Sequence, residues 1–270
     1  MSNVTVAFLL TAAAGLSTGI GSLIALVTRK TNTKFLAFTL GLSAGVMIYV
    51  SLVELMAEAQ AVLGTVYGAR TGALVAVAAF FGGMLLICLI DRLIPSEENP
   101  HEVKTVECMG PNCPIHPPQN KKLLRTGLFT ALAIVIHNFP EGMATFVTAL
   151  QSPSLALPIV VAIAIHNIPE GIAVSVPVYF ATGNRKKAFL FSFASGLSEP
   201  LGALLGYLVL LPFMSDALYG ILYGGVAGIM VFISVDELLP SAREYGEHHL
   251  SIYGLISGMA VMAVSLILFM

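Results

Sequence analysis

The chain has 270 residues, of which 57% are apolar and only 10% charged, with a mean hydropathy of +0.89. A composition so poor in charge excludes a water-soluble enzyme and describes a protein of the bilayer. A net charge of -2 with scattered basic residues argues against nucleic acid or an acidic macromolecule as the main ligand, and three cysteines are too few for a disulfide framework.

A membrane-crossing helix uses roughly 20 apolar residues, so the apolar content suffices for seven or eight. Apolar runs and their punctuation predict an all-α membrane protein with eight transmembrane helices, at 4–28, 35–60, 71–91, 123–149, 155–180, 187–210, 216–239 and 248–270. The 25 glycines and 14 prolines suit a lipid-embedded bundle, in which small residues let helices approach and neighbours satisfy freed backbone groups. Helix 1 follows no basic residue and exceeds the length of a signal-peptide core, so it reads as a retained span. Helix 2 carries Met47, Glu54 and Glu58, and helix 3 holds Cys88 within an apolar run.

Residues 92–122 form the only long polar stretch, a loop without a core of its own. Its Cys108-x4-Cys113-x2-His116 spacing suits a soft metal, and equally a solvated linker.

Helices 4 and 5 contain a near-duplicate. Ala133-Ile-Val-Ile-His137-Asn138-Phe-Pro140-Glu141-Gly142 recurs 29 residues later as Ala162-Ile-Ala-Ile-His166-Asn167-Ile-Pro169-Glu170-Gly171. Consecutive spans run in opposite directions, so the copies predict an inverted-repeat transporter bundle. Two His, two Asn and two Glu then meet at mid-depth, where ionisable groups are expensive and mark function by default. At 100° per residue, Glu141 lies about 40° from His137 on the helix circle and between it and Asn138. It can share one cation with His137 and another with Asn138; Glu170 relates likewise to His166 and Asn167. Two adjacent divalent cations bridged by two carboxylates fit this pattern. The prolines also free the carbonyls of Ile136 and Ile165 from helical bonding.

Helix 6 adds Glu199, before Pro200 and the best candidate for a further ligand; helix 7 carries Asp236 and Glu237 near its inner end. Glu54, Asp236 and Glu237 suit the metal pathway, although Glu58 and Asp236 also suit interfacial water. Imidazole with carboxylate favours Zn(II), Fe(II), Co(II) and Mn(II) over Cu(I). His-Glu-x-x-His, which a metalloprotease would need, is absent, and no His is tied to Ser195 or Ser198. The expected activity is therefore not enzymatic. A channel with the same binuclear filter is the alternative to a carrier.

Of the 13 Lys and Arg, 12 fall in the connections between helices 1 and 2, 3 and 4, 5 and 6, and 7 and 8; Arg70 alone falls opposite. Cytoplasmic loops collect positive charge, so both termini are expected outside, extracellular or periplasmic, with 92–122 cytoplasmic and residues 1–270 forming one transport domain in the plasma membrane.

The paired His-Asn-x-Pro-Glu-Gly motif, eight spans and a cytoplasmic loop between helices 3 and 4 resemble the ZIP family of divalent-metal transporters, most closely its bacterial ZupT-like branch. The resemblance implies His137, Glu141, His166 and Glu170 around one ion, and Asn138, Asn167, the two bridging glutamates and Glu199 around the other. Met47 is a weaker match to a sulfur ligand at the first. It also implies metal movement into the cytoplasm, a homodimer among membrane lipids, no prosthetic group, and transported zinc with iron(II), manganese and cobalt as co-substrates.

Overall fold

The computed structural model describes residues 3–27, 33–92, 121–151, 153–210, 213, 215–244 and 248–268, and among these there is no strand. The helices are α1 (Asn3–Val27), α2 (Thr33–Tyr49), α3 (Met56–Tyr67), α4 (Ala69–Arg92), α5 (Lys121–Gln151), α6 (Pro153–Thr182), α7 (Arg185–Gly196), α8 (Ser198–Leu205), α9 (Asp216–Ile233), α10 (Leu239–Glu244) and α11 (His248–Leu268). Three π-helical stretches, Val50–Leu55, Gly206–Leu210 and Ser234–Leu238, lie within this order. Two of them link α2 to α3 and α9 to α10, so each pair reads as one long, locally widened rod.

Six helical stretches are long and apolar enough to cross a membrane, Asn3–Ile24, Ala37–Tyr67, Ala69–Ile90, Arg185–Val209, Asp216–Asp236 and His249–Ile267. The helices α5 and α6 run to 31 and 30 residues, and the described part of α6 contributes the shorter apolar stretch Ile159–Ile172. Helix 2 ends seven residues beyond its expected limit. The helix runs on through Gly64 to Tyr67 and stops at Gly68, whose φ of 82° is a conformation that favours glycine. Between α6 and α7, Gly183 turns the chain with φ 63°, and the Asn184 side chain accepts from the Lys187 N–H at 3.1 Å to cap α7.

The bundle turns large apolar side chains outward and encloses short polar side chains within its apolar core. Leu74, Leu85 and Leu89 on α4 are each more than 60% exposed, while Thr11, Ser17, Thr18, Ser22, Ser43, Ser51, Ser192 and Ser195 are buried. Lipid tails are as apolar as leucine, so such helices associate through small residues, close contact and internal hydrogen bonds. Short hydroxyl side chains satisfy themselves on their own helix: Ser17 donates to the Ala14 carbonyl at 2.6 Å and Ser51 to that of Met47 at 2.7 Å.

The helices gather into two groups. One holds α1, α5, α6, α7 and α8, the other α2, α3, α4, α9, α10 and α11; α2 meets α6 and α5 meets α9 between them. A hydrogen bond between Thr148 of α5 and Tyr223 of α9 crosses that seam.

Glycines set the closest crossings, and they come in matched pairs. A Cβ at Gly21 would lie 1.8 Å from the Ile168 carbonyl oxygen, and one at Gly202, 181 positions on, 2.1 Å from that of Phe139, 29 positions before Ile168. Gly171 meets the Thr18 oxygen at 1.9 Å as Gly142 meets the Glu199 oxygen at 2.2 Å. In the other group Gly45 faces the Leu255 oxygen at 2.0 Å, and Gly228 that of Phe80 at 1.9 Å. Gly15 and Gly196 face each other's carbonyl oxygens at 2.4 Å. These are distances at which only glycine fits.

Candidate metal site

The α5 helix continues through Pro140 without a break, carrying Asn138 and Glu141 on inward positions. Both are buried, Asn138 fully and Glu141 to 3% exposure, as are Asn167 and Glu170 on α6 at 0% and 4%. Glu199, in the first turn of α8, is also fully buried. Five acid or amide side chains with so little exposure in a bundle of this size require compensation, because each buried polar atom left unpaired is costly.

Part of that compensation is visible. The Asn167 Nδ2 donates to the Ala14 carbonyl at 3.0 Å and also to Glu199 Oε1, tying α6, α1 and α8 together at one point. Glu199 interacts electrostatically with the carboxylates of Glu141 and Glu170, so three acids from three helices converge. Against this, Asn138 Oδ1 and Nδ2, Asn167 Oδ1 and Glu199 Oε2 are buried with no hydrogen-bond partner among the described residues. Convergent carboxylates and unpartnered amide oxygens are the donor chemistry that hard or borderline divalent cations accept.

Glu141 also borders a cleft of about 250 Å³ whose walls include Val50, Leu55, Thr145, Thr148 and Met230, reaching the seam between the two helix groups. Met47 is buried on α2 at 1% exposure. Glu54 is half-buried in the π-helical stretch after α2, and its charge acts on Glu58 and Tyr219. Asp236 is exposed in the stretch after α9. The backbones of His137 and His166 lie in α5 and α6 and that of Glu237 in the π-helical stretch Ser234–Leu238, but these three side chains are outside the described residues, as are residues 93–120 with the Cys108, Cys113 and His116 spacing. Among the described residues no three His, Cys, Asp or Glu side chains close into a ready-made chelate.

A scan centred on helices 4 and 5 passes over two further buried hydroxyls without partners, Thr18 Oγ1 and Ser43 Oγ. The signal that finds Thr18 is a longer repeat. Gly15-Leu-Ser17-Thr18-Gly-Ile-Gly21 matches Gly196-Leu-Ser198-Glu199-Pro-Leu-Gly202, and Ala44-Gly-Val-Met47-Ile-Tyr-Val-Ser51-Leu-Val-Glu54-Leu55 matches Ala227-Gly-Ile-Met230-Val-Phe-Ile-Ser234-Val-Asp-Glu237-Leu238. The two offsets, 181 and 183, differ from each other and from 29, which hides the relation from any single-period search. In the structure the matched residues behave alike: Ser198 donates to the Ser195 carbonyl at 2.5 Å as Ser17 does to that of Ala14, and Ser234 to that of Met230 at 2.7 Å as Ser51 does to that of Met47.

Residues 97–266 match the family model described as ZIP Zinc transporter. The chain is 62% identical over 263 residues to the zinc transporter ZupT of Streptococcus mutans serotype c, with 97% of each chain covered. It is 62% identical over 269 residues to that of Oceanobacillus iheyensis, with 99% of each covered. With that of Clostridium perfringens it shares 59% identity over 278 residues, covering 100% of this chain and 98% of the relative. Likeness of this extent, reaching nearly end to end in a bundle that turns acids and amides inward, means that the chain belongs to the ZIP zinc transporter family, whose members are transporters and not enzymes.

Proposed function

We propose that this protein moves divalent transition-metal cations, zinc foremost with iron(II), manganese and cobalt as co-substrates, across the plasma membrane into the cytoplasm. The pathway is a binuclear site at mid-depth, with His137, Glu141, His166 and Glu170 around one ion and Asn138, Asn167 and Glu199, sharing the two glutamates, around the other. One observation carries the reading: Asn138, Glu141, Asn167, Glu170 and Glu199 are all 4% exposed or less, and polar atoms of Asn138, Asn167 and Glu199 have no partner among the described residues. A cation supplies what those atoms lack. Three carboxylates against two dications leave a near balance of charge, which holds the ions without an extremely deep trap.

The same reading takes α5 and α6 as spans beside the six apolar stretches, eight in all. The asymmetry of Lys and Arg supports both termini outside and the 92–122 loop inside. The matched glycine and serine contacts support a two-fold relation of α1, α2–α3 and α4 to α7–α8, α9–α10 and α11, with α5 exchanged for α6. Because the halves begin on opposite sides of the membrane, that relation is inverted, and it sets the two motif copies face to face. Residues 1–270 act as one transport domain, and the resemblance to the family supports a homodimer. Met47, Glu54, Asp236 and Glu237 belong to the path that leads the ion to and from the site.

Inward movement is favoured by the membrane potential, by about 4.6 kcal/mol per 100 mV for a dication. Release requires the ligands to let go, and protonation of His166 supplies one means. The test is radiometal uptake into proteoliposomes at defined voltage and pH. Glu141→Ala and Glu170→Ala should each abolish uptake, since each carboxylate bridges both ions. Near wild-type uptake by either variant, correctly inserted, would sink the binuclear reading; single-channel currents in place of saturable flux would make the protein a pore.

A further inference from the structure

The matched contacts give every residue of the site a counterpart, and one of those counterparts has different chemistry. Asn167 is held by the Ala14 carbonyl and by Glu199. At offsets of 29 and 181 the equivalent residues are Asn138, Ser195 and Thr18. The backbone equivalence of Thr18 and Glu199 is close: Gly171 lies against the Thr18 carbonyl as Gly142 lies against that of Glu199. Their side chains flank the contact between Gly15 and Gly196, with Thr18 Oγ1 2.9 Å from a Cβ placed on Gly196 and the Glu199 Cβ 3.2 Å from one placed on Gly15.

Where Asn167 and Glu199 join, Asn138 and Thr18 do not. Both are fully buried, and Asn138 Oδ1, Asn138 Nδ2 and Thr18 Oγ1 are all without partners among the described residues. The backbone oxygen that a threonine at this position would ordinarily use, that of Ala14, already accepts from Ser17 and Asn167. A buried hydroxyl kept without a partner is destabilising unless something outside the protein satisfies it.

We propose that Thr18 is a specificity-determining residue of the oxygen-rich cation position: its hydroxyl, directly or through one water, donates a neutral oxygen to the ion on the side opposite Glu199, next to Asn138. A hydroxyl oxygen adds to a donor set that has no imidazole or thiolate, and an all-oxygen set suits a hard, partly hydrated cation such as Mn(II) better than Zn(II) at that position. The inference rests on the binuclear reading above and fails separately from it.

The experiment compares Thr18→Val and Thr18→Ser in the full chain, measuring Mn(II) and Zn(II) binding to the purified protein, uptake of both metals at matched surface expression, and the thermal midpoint. T18V is isosteric and removes only the hydroxyl. It should weaken Mn(II) binding about fivefold, the scale of one neutral oxygen contact, with a smaller change for Zn(II) and a thermal midpoint unchanged or raised, because an unpartnered hydroxyl has been replaced by a methyl. T18S should stay within about twofold of wild type. A T18V protein that binds and moves Mn(II) like wild type overturns the proposal, as does an equal loss for both metals accompanied by a lowered midpoint, which would mark a structural hydroxyl. If T18V fails to insert, Thr18→Ala is read by the same criteria. Retention of uptake by E141A or E170A would remove the binuclear reading itself, whatever Thr18 does.

Discussion

Two asparagines at equivalent places in the motif have unequal surroundings, and that inequality separates support of the fold from handling of the ion. Asn167 satisfies Glu199 and the Ala14 carbonyl at once, so its removal leaves a buried carboxylate and a carbonyl short of a donor. Asn138 has no partner among the described residues for either amide atom. Asn167→Ala should therefore lower stability by about 1–3 kcal/mol, the cost of orphaning buried polar groups, and lower metal uptake as well. Asn138→Ala should lower uptake with the melting curve unchanged or shifted upward. Detergent-solubilised melting curves paired with uptake check both; an equal loss of stability in the two variants would show that Asn138 has a structural partner in the working protein.

Among the helices, close approach of backbones is what positions the acids. A Cβ at Gly21 would run into the Ile168 carbonyl, and one at Gly202 into that of Phe139, and each crossing lies one residue from the motif asparagines, Asn167 and Asn138. Gly21→Ala and Gly202→Ala should each force their helices apart and destabilise the bundle by about 1–3 kcal/mol, as overpacking does. Gly82, which has open space around its would-be Cβ, is the control, and Gly82→Ala should behave as wild type. Melting temperature and the fraction of correctly inserted protein decide the comparison. The widened π-helical stretches follow a related logic: they interrupt α2–α3 and α9–α10 at matched sites, the first containing Glu54 and the second Asp236, where an unbroken α-helix would turn those carboxylates to another face.

For the molecule as a whole, the proposed orientation rests on charge. Twelve of the 13 basic residues lie on the side assigned to the cytoplasm, so single cysteines introduced near Lys122 and Lys186, in a background free of native cysteines, should react with impermeant thiol reagents only from the cytoplasmic face. Labelling from outside in intact cells would overturn the eight-span count. The two helix groups, joined at the seam where α2 meets α6 and α5 meets α9, bury Glu141 beside a cleft that opens onto that seam, so a shift of one group against the other would change access to the site.

Length, hydropathy and the duplicated His-Asn-x-Pro-Glu-Gly determined by themselves that the chain is a helical membrane protein, roughly where its helices lie, and that Asn138, Glu141, Asn167 and Glu170 of helices 4 and 5 face inward, because periodicity and the expense of charge in lipid are local properties of a sequence. The burial of Glu199 was legible too, as an acid in an apolar run. Tertiary structure alone decided that Asn167 takes Glu199 as its partner while Asn138 takes none, that Asp236 is exposed, and that Thr18 is a buried hydroxyl without a mate. Each of those depends on which helix crosses which and at what distance. That is set by glycine contacts between residues as much as 216 positions apart, as between Leu42 and Gly258 in helices 2 and 8, and no local pattern encodes it.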